Sequence, residues 1–171
     1  CSVGLAALDL FGIAMAREEL ARIAQRAEND FVGVPCGLMD QMAASVCTAD
    51  HALFFDTRDD VREQVAFAPS ELGLALLVVN TRAQHSLNDG AYAERRRSCE
   101  QAAAVLGVEF LRDVPASDLD AAMAKLDDDV LRRRARHVIT EDDRVLRSVD
   151  LLRDGHLDRI GALLTASHAS M

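Results

Sequence analysis

The stretch Gly33-Val34-Pro35-Cys36-Gly37-Leu38-Met39-Asp40-Gln41 constrains this chain more than any other. Two glycines and a proline make a stiff, irregular approach, and the apolar run Met42-Ala43-Ala44-Ser45-Val46 that follows reads as a buried helix. Asp40 therefore falls where loop becomes helix. Local pattern alone fits an acid that caps this helix, at a worth of about 0.5–2 kcal/mol. It also admits an acid held at the edge of a site.

The rest of the pattern is helical with short interruptions. Residues 2–11 are apolar nearly all round, which predicts a helix enclosed on every side and ended by Gly12 in a left-handed cap. A second helix opens at Ala16–Leu20, with Leu20, Ile23, Ala24 and Ala27 on its inner face and Arg17, Arg22 and Arg26 outward. It is expected to end near Asn29 with Glu28 on its last turn, at the unfavourable negative end of the helix dipole, where a nearby cation would resolve the mismatch. Residues 52–56 and 62–67 read as strands joined by the polar turn 57–60. Leu74–Val79 is continuously apolar and reads as a strand covered on both faces.

Further on, Ala91–Leu106 is a helix closed by Gly107, with Tyr92 on its first turn beside the polar stretch Thr81–Gly90. Another helix carries Leu119, Ala122, Met123 and Leu126. Asp127-Asp128-Asp129 then caps a long helix from Val130 to about Arg153, and Gly155 separates it from a last one bearing Leu157, Ile160, Leu163 and Leu164. The sum is an α+β chain, mostly helix with about three strands, whose internal boundary is expected at 69–73.

With 171 residues, half of them hydrophobic, the chain can bury a sizeable core. A net charge of −9 argues against nucleic acid or an anionic membrane as partner, since both call for clustered Lys and Arg. The runs Arg95–Arg97 and Arg132–Arg134 lie in acid-rich helical pattern and read as solvated faces. Cys1, Cys36, Cys47 and Cys99 match neither a zinc nor a redox spacing, which suits a reducing cytoplasm. No apolar run reaches the roughly 18 residues that span a bilayer. The sequence opens and closes inside helical pattern, and the expectation is a piece cut at both ends.

Taken with its flanks, Glu28-Asn29-Asp30-Phe31-Val32-Gly33-Val34-Pro35-Cys36-Gly37-Leu38-Met39-Asp40-Gln41 resembles the galactokinases, sugar kinases of the GHMP superfamily. The segment His85–Glu100 around Tyr92 resembles the same family, and so does Arg133–Val138 followed by Glu141. The resemblance covers the whole chain but only the middle of a galactokinase. It implies a two-domain α+β kinase fold, residues 1–68 being the remainder of the N-terminal domain and 74–171 the start of the C-terminal one. It also implies the roles of four residues: Asp40 as catalytic base and sugar contact, Gly37 and Tyr92 as sugar contacts, and Glu28, twelve positions before Asp40, as the Mg²⁺ ligand. Each has a plainer alternative: a cap for Asp40, a tight turn for Gly37, packing for Tyr92 and a solvated acid for Glu28. His137 and Glu141, four apart, read as a structural helix pair, and His51, His85, His156 and His168 carry no assigned chemistry.

The implied activity is transfer of the γ-phosphoryl group of Mg-ATP to the anomeric hydroxyl of α-D-galactose, in a cytoplasmic monomer of galactose metabolism. The family's phosphate-cradling loop and sugar-recognition arginine have no counterpart among these residues, so the nucleotide-binding residues are unknown and the chain alone is expected not to turn over. Two alternatives stand beside it: a galactokinase-like sensor that binds sugar and ATP without turnover, and a kinase of N-acetylgalactosamine.

Overall fold

The computed structural model describes residues 1–82 and 90–171. The chain divides into two compact units, Cys1–Thr81 and Arg82–Met171.

In the first unit, helix α1 (Ser2–Phe11) ends at Gly12, whose φ of 64° gives the expected left-handed cap. Its expected enclosure on every side is not observed. No residue of α1 is buried, and Val3, Leu10 and Phe11 are largely exposed, because its packing within the unit is chiefly against one helix, α2 (Arg17–Arg26). Gly4 makes that contact close: a Cβ there would lie 2.6 Å from Leu20 Cδ1.

The buried stripe of α2 is Leu20 and Ala21, turned from the expected line through Ile23 and Ala27. Ala21 faces Leu38 and Met42, and its small side chain lets α3 (Met39–Val46) lie close. Leu53 and Phe55 of strand β1 (His51–Asp56) pack on the same cluster. Strand β1 pairs antiparallel with β2 (Val61–Ala66), with His51 opposite Ala66 and Asp56 opposite Val61. Two ion pairs, Arg22–Asp60 at 2.6 Å and Arg62–Glu18 at 3.0 Å, tie this hairpin to α2. Gln64 ties it to the end of α3 by donating to the Val46 carbonyl at 2.9 Å.

Two expectations fail in this unit. The second helix does not stop at Asn29 but runs on as a π-helical turn, Ala27–Val32, ended by Gly33 at φ 77°. Leu74–Val79 is not a strand: it has no regular structure, and Leu76 and Leu77 are each 83% exposed. A strand is made by its ladder, and among the described residues the only ladder joins β1 and β2. The chain thus shows two strands among the described residues rather than about three, within the α+β class.

The second unit is helical. Helix α4 (Ala91–Leu106) starts after Gly90, at φ 76°, and closes at Gly107, at φ 73°. Its Ala102 and Ala103 join Met123 of α5 (Leu119–Met123), Leu126, and Ala135 and Ile139 of α6 (Asp129–Arg153) in one core. Of the three acids at the start of α6, Asp128 is the cap: its Oδ1 accepts from the amides of Val130 at 2.7 Å and Leu131 at 2.9 Å. Helix α7 (Gly161–Ser170) returns along α6 and is held by side-chain hydrogen bonds to His137, Glu141 and Arg144. His137 and Glu141 are therefore structural, but each bonds to α7 and no hydrogen bond or ion pair among the described residues joins the two as their spacing had suggested.

Candidate functional site

The π-helical turn decides where Glu28 goes. The extra residue per turn widens the helix as it ends, and the Glu28 carbonyl accepts the amide of Val34 at 3.2 Å, folding residues 34–37 back beside the turn. Cys36 is then fixed at several points. Its amide donates to Asn29 Oδ1 at 3.0 Å, and its carbonyl accepts from Gln25 Nε2 at 3.3 Å. Its thiol lies 3.1 Å from Glu28 Oε2 and 3.4 Å from Asn29 Oδ1. Among the described residues no Lys or Arg side chain pairs with Glu28; its near neighbour in this chain is a thiol donor. Burial pushes the Cys36 thiol up from its ordinary pKa, and the hydrogen bond and charge of Glu28 push it further.

Beyond Cys36 the backbone passes Gly37 without entering the left-handed region, and a Cβ at Gly37 would meet nothing within 4 Å. Neither turn geometry nor neighbouring atoms of this chain require glycine there. Leu38 is the residue before α3, which places Asp40 second in the helix. The favourable end of the helix dipole suits an acid there. Among the described residues no hydrogen bond or ion pair engages the Asp40 carboxylate, which is exposed. The next residue, Gln41, points the other way: it is 5% exposed, its Nε2 reaches the Cys36 sulfur at 3.7 Å, and its Oε1 has no partner among the described residues.

The first unit therefore brings Cys36 against Glu28 at the start of the π turn, and Gly37 and Asp40 follow Cys36 in the chain, Asp40 on the first turn of α3. Asn29, Cys36 and Gln41 were missed as part of this arrangement. The available signal was their spacing around Glu28 and Asp40, but polar residues at such positions are commonplace. In the second unit, Tyr92 stands on the first turn of α4 and is 54% exposed. Residues 85–89 of the segment around it, including His85, lie outside the described residues. Two clefts of the second unit, about 650 Å³ beside Arg147, Asp150 and Asp158 and about 250 Å³ beside Val108, Pro115 and Lys125, contain none of these residues.

Among the described residues no group of three or more His, Cys, Asp or Glu side chains could hold a metal ion. A magnesium ion that arrives with nucleotide phosphates needs only one or two protein carboxylates, and Glu28, exposed and with one oxygen engaged by Cys36, meets that requirement. No helix among the described residues is long and apolar enough to cross a membrane.

Residues 1–48, which include Glu28, Gly37 and Asp40, match the family model of the GHMP kinases N terminal domain. The chain is 51% identical over 170 residues to a galactokinase of Streptomyces coelicolor, covering 99% of this chain and 44% of that protein. It is 48% identical over 160 residues to a galactokinase of Mycobacterium tuberculosis, covering 94% of this chain and again 44% of the relative. Among solved structures, the crystal structure of Lactococcus lactis galactokinase complexed with galactose superposes with a TM-score of 0.83 at 28% identity, over 98% of this chain and 44% of that one. The chain thus spans less than half the length of the relatives it matches. Over nearly all of its own length the chain is similar to galactokinases, and its first 48 residues match the N-terminal domain of the GHMP kinases.

Proposed function

We propose that the protein carrying this chain is a galactokinase, moving the γ-phosphoryl group of ATP to the anomeric hydroxyl of α-D-galactose. The observation that carries this reading is 51% identity to a galactokinase over 99% of the chain. The exposed carboxylate of Asp40 at the start of α3, which has no partner among the described residues, supports it.

Phosphoryl transfer is chiefly a problem of positioning and of charge stabilisation. In this reading Asp40 lies beside the sugar C1 hydroxyl and accepts its proton as that oxygen bonds to the γ-phosphorus and the bond to ADP breaks. Gly37, with no Cβ, lets the sugar approach the backbone of the turn. Tyr92 gives the sugar a hydroxyl contact, and Glu28 holds Mg²⁺. When bound, that ion neutralises charge on the phosphates. The nucleotide-binding residues are not assigned.

A coupled assay of ADP release by the full-length protein, run against a panel of sugars, tests the activity. Galactose as the preferred acceptor is expected. Preference for N-acetylgalactosamine would move the protein to a related sugar kinase, and sugar binding without ADP release would make it a sensor.

A further inference from the structure

We propose that Cys36 is a positioning residue, whose thiol holds the Glu28 carboxylate in place relative to the helix that carries Asp40. The inference rests on the reading of Glu28 as the magnesium-holding acid. A glutamate has several rotatable bonds, and on an exposed turn its carboxylate samples many positions unless a neighbour selects one. Here the selecting group is itself held from both sides. The Cys36 amide is clamped by Asn29 Oδ1 at 3.0 Å and its carbonyl by Gln25 Nε2 at 3.3 Å, so the sulfur has little freedom.

From that fixed point the thiol reaches Glu28 Oε2 at 3.1 Å. On its other side, the buried Gln41 amide reaches the same sulfur at 3.7 Å from within α3, one residue after Asp40. The continuous path is Glu28 carboxylate, Cys36 thiol, Gln41 amide and α3. Among the described residues Glu28 Oε1 has no partner, which leaves it to a cation while Oε2 orients the group. Partners that orient a metal's ligand in this way set its affinity as well as its geometry, and their loss typically weakens metal binding about 10–100-fold. A half-buried cysteine acting only as a small apolar filler would have no such effect.

The test uses the full-length protein and Mn²⁺ as the spectroscopic probe, titrated by electron paramagnetic resonance in the presence of galactose and a non-hydrolysable ATP analogue. Cys36→Ala is expected to raise the Mn²⁺ dissociation constant about tenfold. Cys36→Ser, which keeps a hydrogen-bond donor, is expected to stay within about threefold of wild type. Galactose KM should be unchanged in both. Glu28→Gln, measured alongside, separates the two readings. If it weakens Mn²⁺ binding while Cys36→Ala overlays wild type, the positioning role is overturned and the metal reading stands. If Glu28→Gln also overlays wild type, the metal reading falls and takes the positioning role with it. Should Cys36→Ala fail to fold, Asn29→Ala, which releases the clamp on the Cys36 amide, carries the same expectation: weaker Mn²⁺ binding supports the role and an unchanged titration overturns it.

Discussion

The Ser167 hydroxyl donates to Glu141 Oε1 at 2.7 Å, joining α7 to the middle of α6. The other oxygen of Glu141 accepts from Arg144 Nε at 2.7 Å, and Arg144 also donates to Ser170 Oγ at 2.9 Å. Burial pushes the Glu141 carboxyl up, but the hydrogen bonds from Ser167 and Arg144 and the charges of Arg144 and His137 outweigh it, and its net pKa is lowered. A carboxyl whose native pKa is depressed contributes stability above its unfolded pKa and loses it as pH falls through the native value. Glu141→Gln should therefore destabilise the protein by about 1 kcal/mol at neutral pH, allowing for partial solvent screening. Urea unfolding of both proteins across the acid range checks this: the gap should close as pH falls, and a gap independent of pH contradicts it.

Asp128→Ala should cost about 0.5–2 kcal/mol of stability without affecting catalysis, because it removes the side-chain cap on the start of α6. Asp127→Ala, which alters a neighbouring acid without that role, should cost much less. Thermal unfolding of the two variants gives the comparison, and equal losses would mean that net charge rather than the cap is what α6 requires.

These local features were legible in the sequence because each depends on residues close in the chain. Gly12, Gly107 and Gly155 end helices as expected, and the acid run Asp127–Asp129 was legible as the cap of α6, although only the structure singles out Asp128. The turn before α3 was legible for the same reason, as was the position of Asp40 on its first turn. Leu74–Val79 was not, since an apolar run becomes a strand only if another strand pairs with it, and pairing is non-local. The all-round apolar pattern of α1 indicated its helix but not its surroundings, which are chiefly α2. The Glu28–Cys36 contact was hidden by the π-helical turn, because a regular helix ending at Asn29 would have aimed Glu28 elsewhere.

Gly37→Ala separates a sugar-contacting glycine from a structural one. Its backbone is outside the left-handed region and no atom lies within 4 Å of the Cβ it would gain, so the melting temperature should hold or rise slightly. Galactose KM should rise several-fold if the sugar approaches this backbone. A fall in melting temperature with unchanged KM would instead make Gly37 a requirement of the turn.

Tyr92→Phe is expected to act on galactose KM, leaving kcat close to wild type, because it removes a hydroxyl contact made in ground and transition states alike. The expected loss is about 0.5–1.5 kcal/mol in apparent affinity. The residue is 54% exposed, so little stability should depend on it. Steady-state kinetics with varied galactose supply the test; unchanged KM together with a lowered melting temperature would assign Tyr92 to packing.

The most direct measurement is kcat for Asp40→Asn in the full-length protein, with galactose binding measured in parallel. Asn is nearly isosteric with Asp, and no hydrogen bond or ion pair among the described residues depends on this carboxylate, so fold and sugar binding should persist. If Asp40 takes the proton from the attacking hydroxyl, kcat should fall by roughly 10²–10⁴. A variant that keeps more than about a third of the wild-type kcat would contradict the assignment, leaving Asp40 as an acid that merely favours the start of α3.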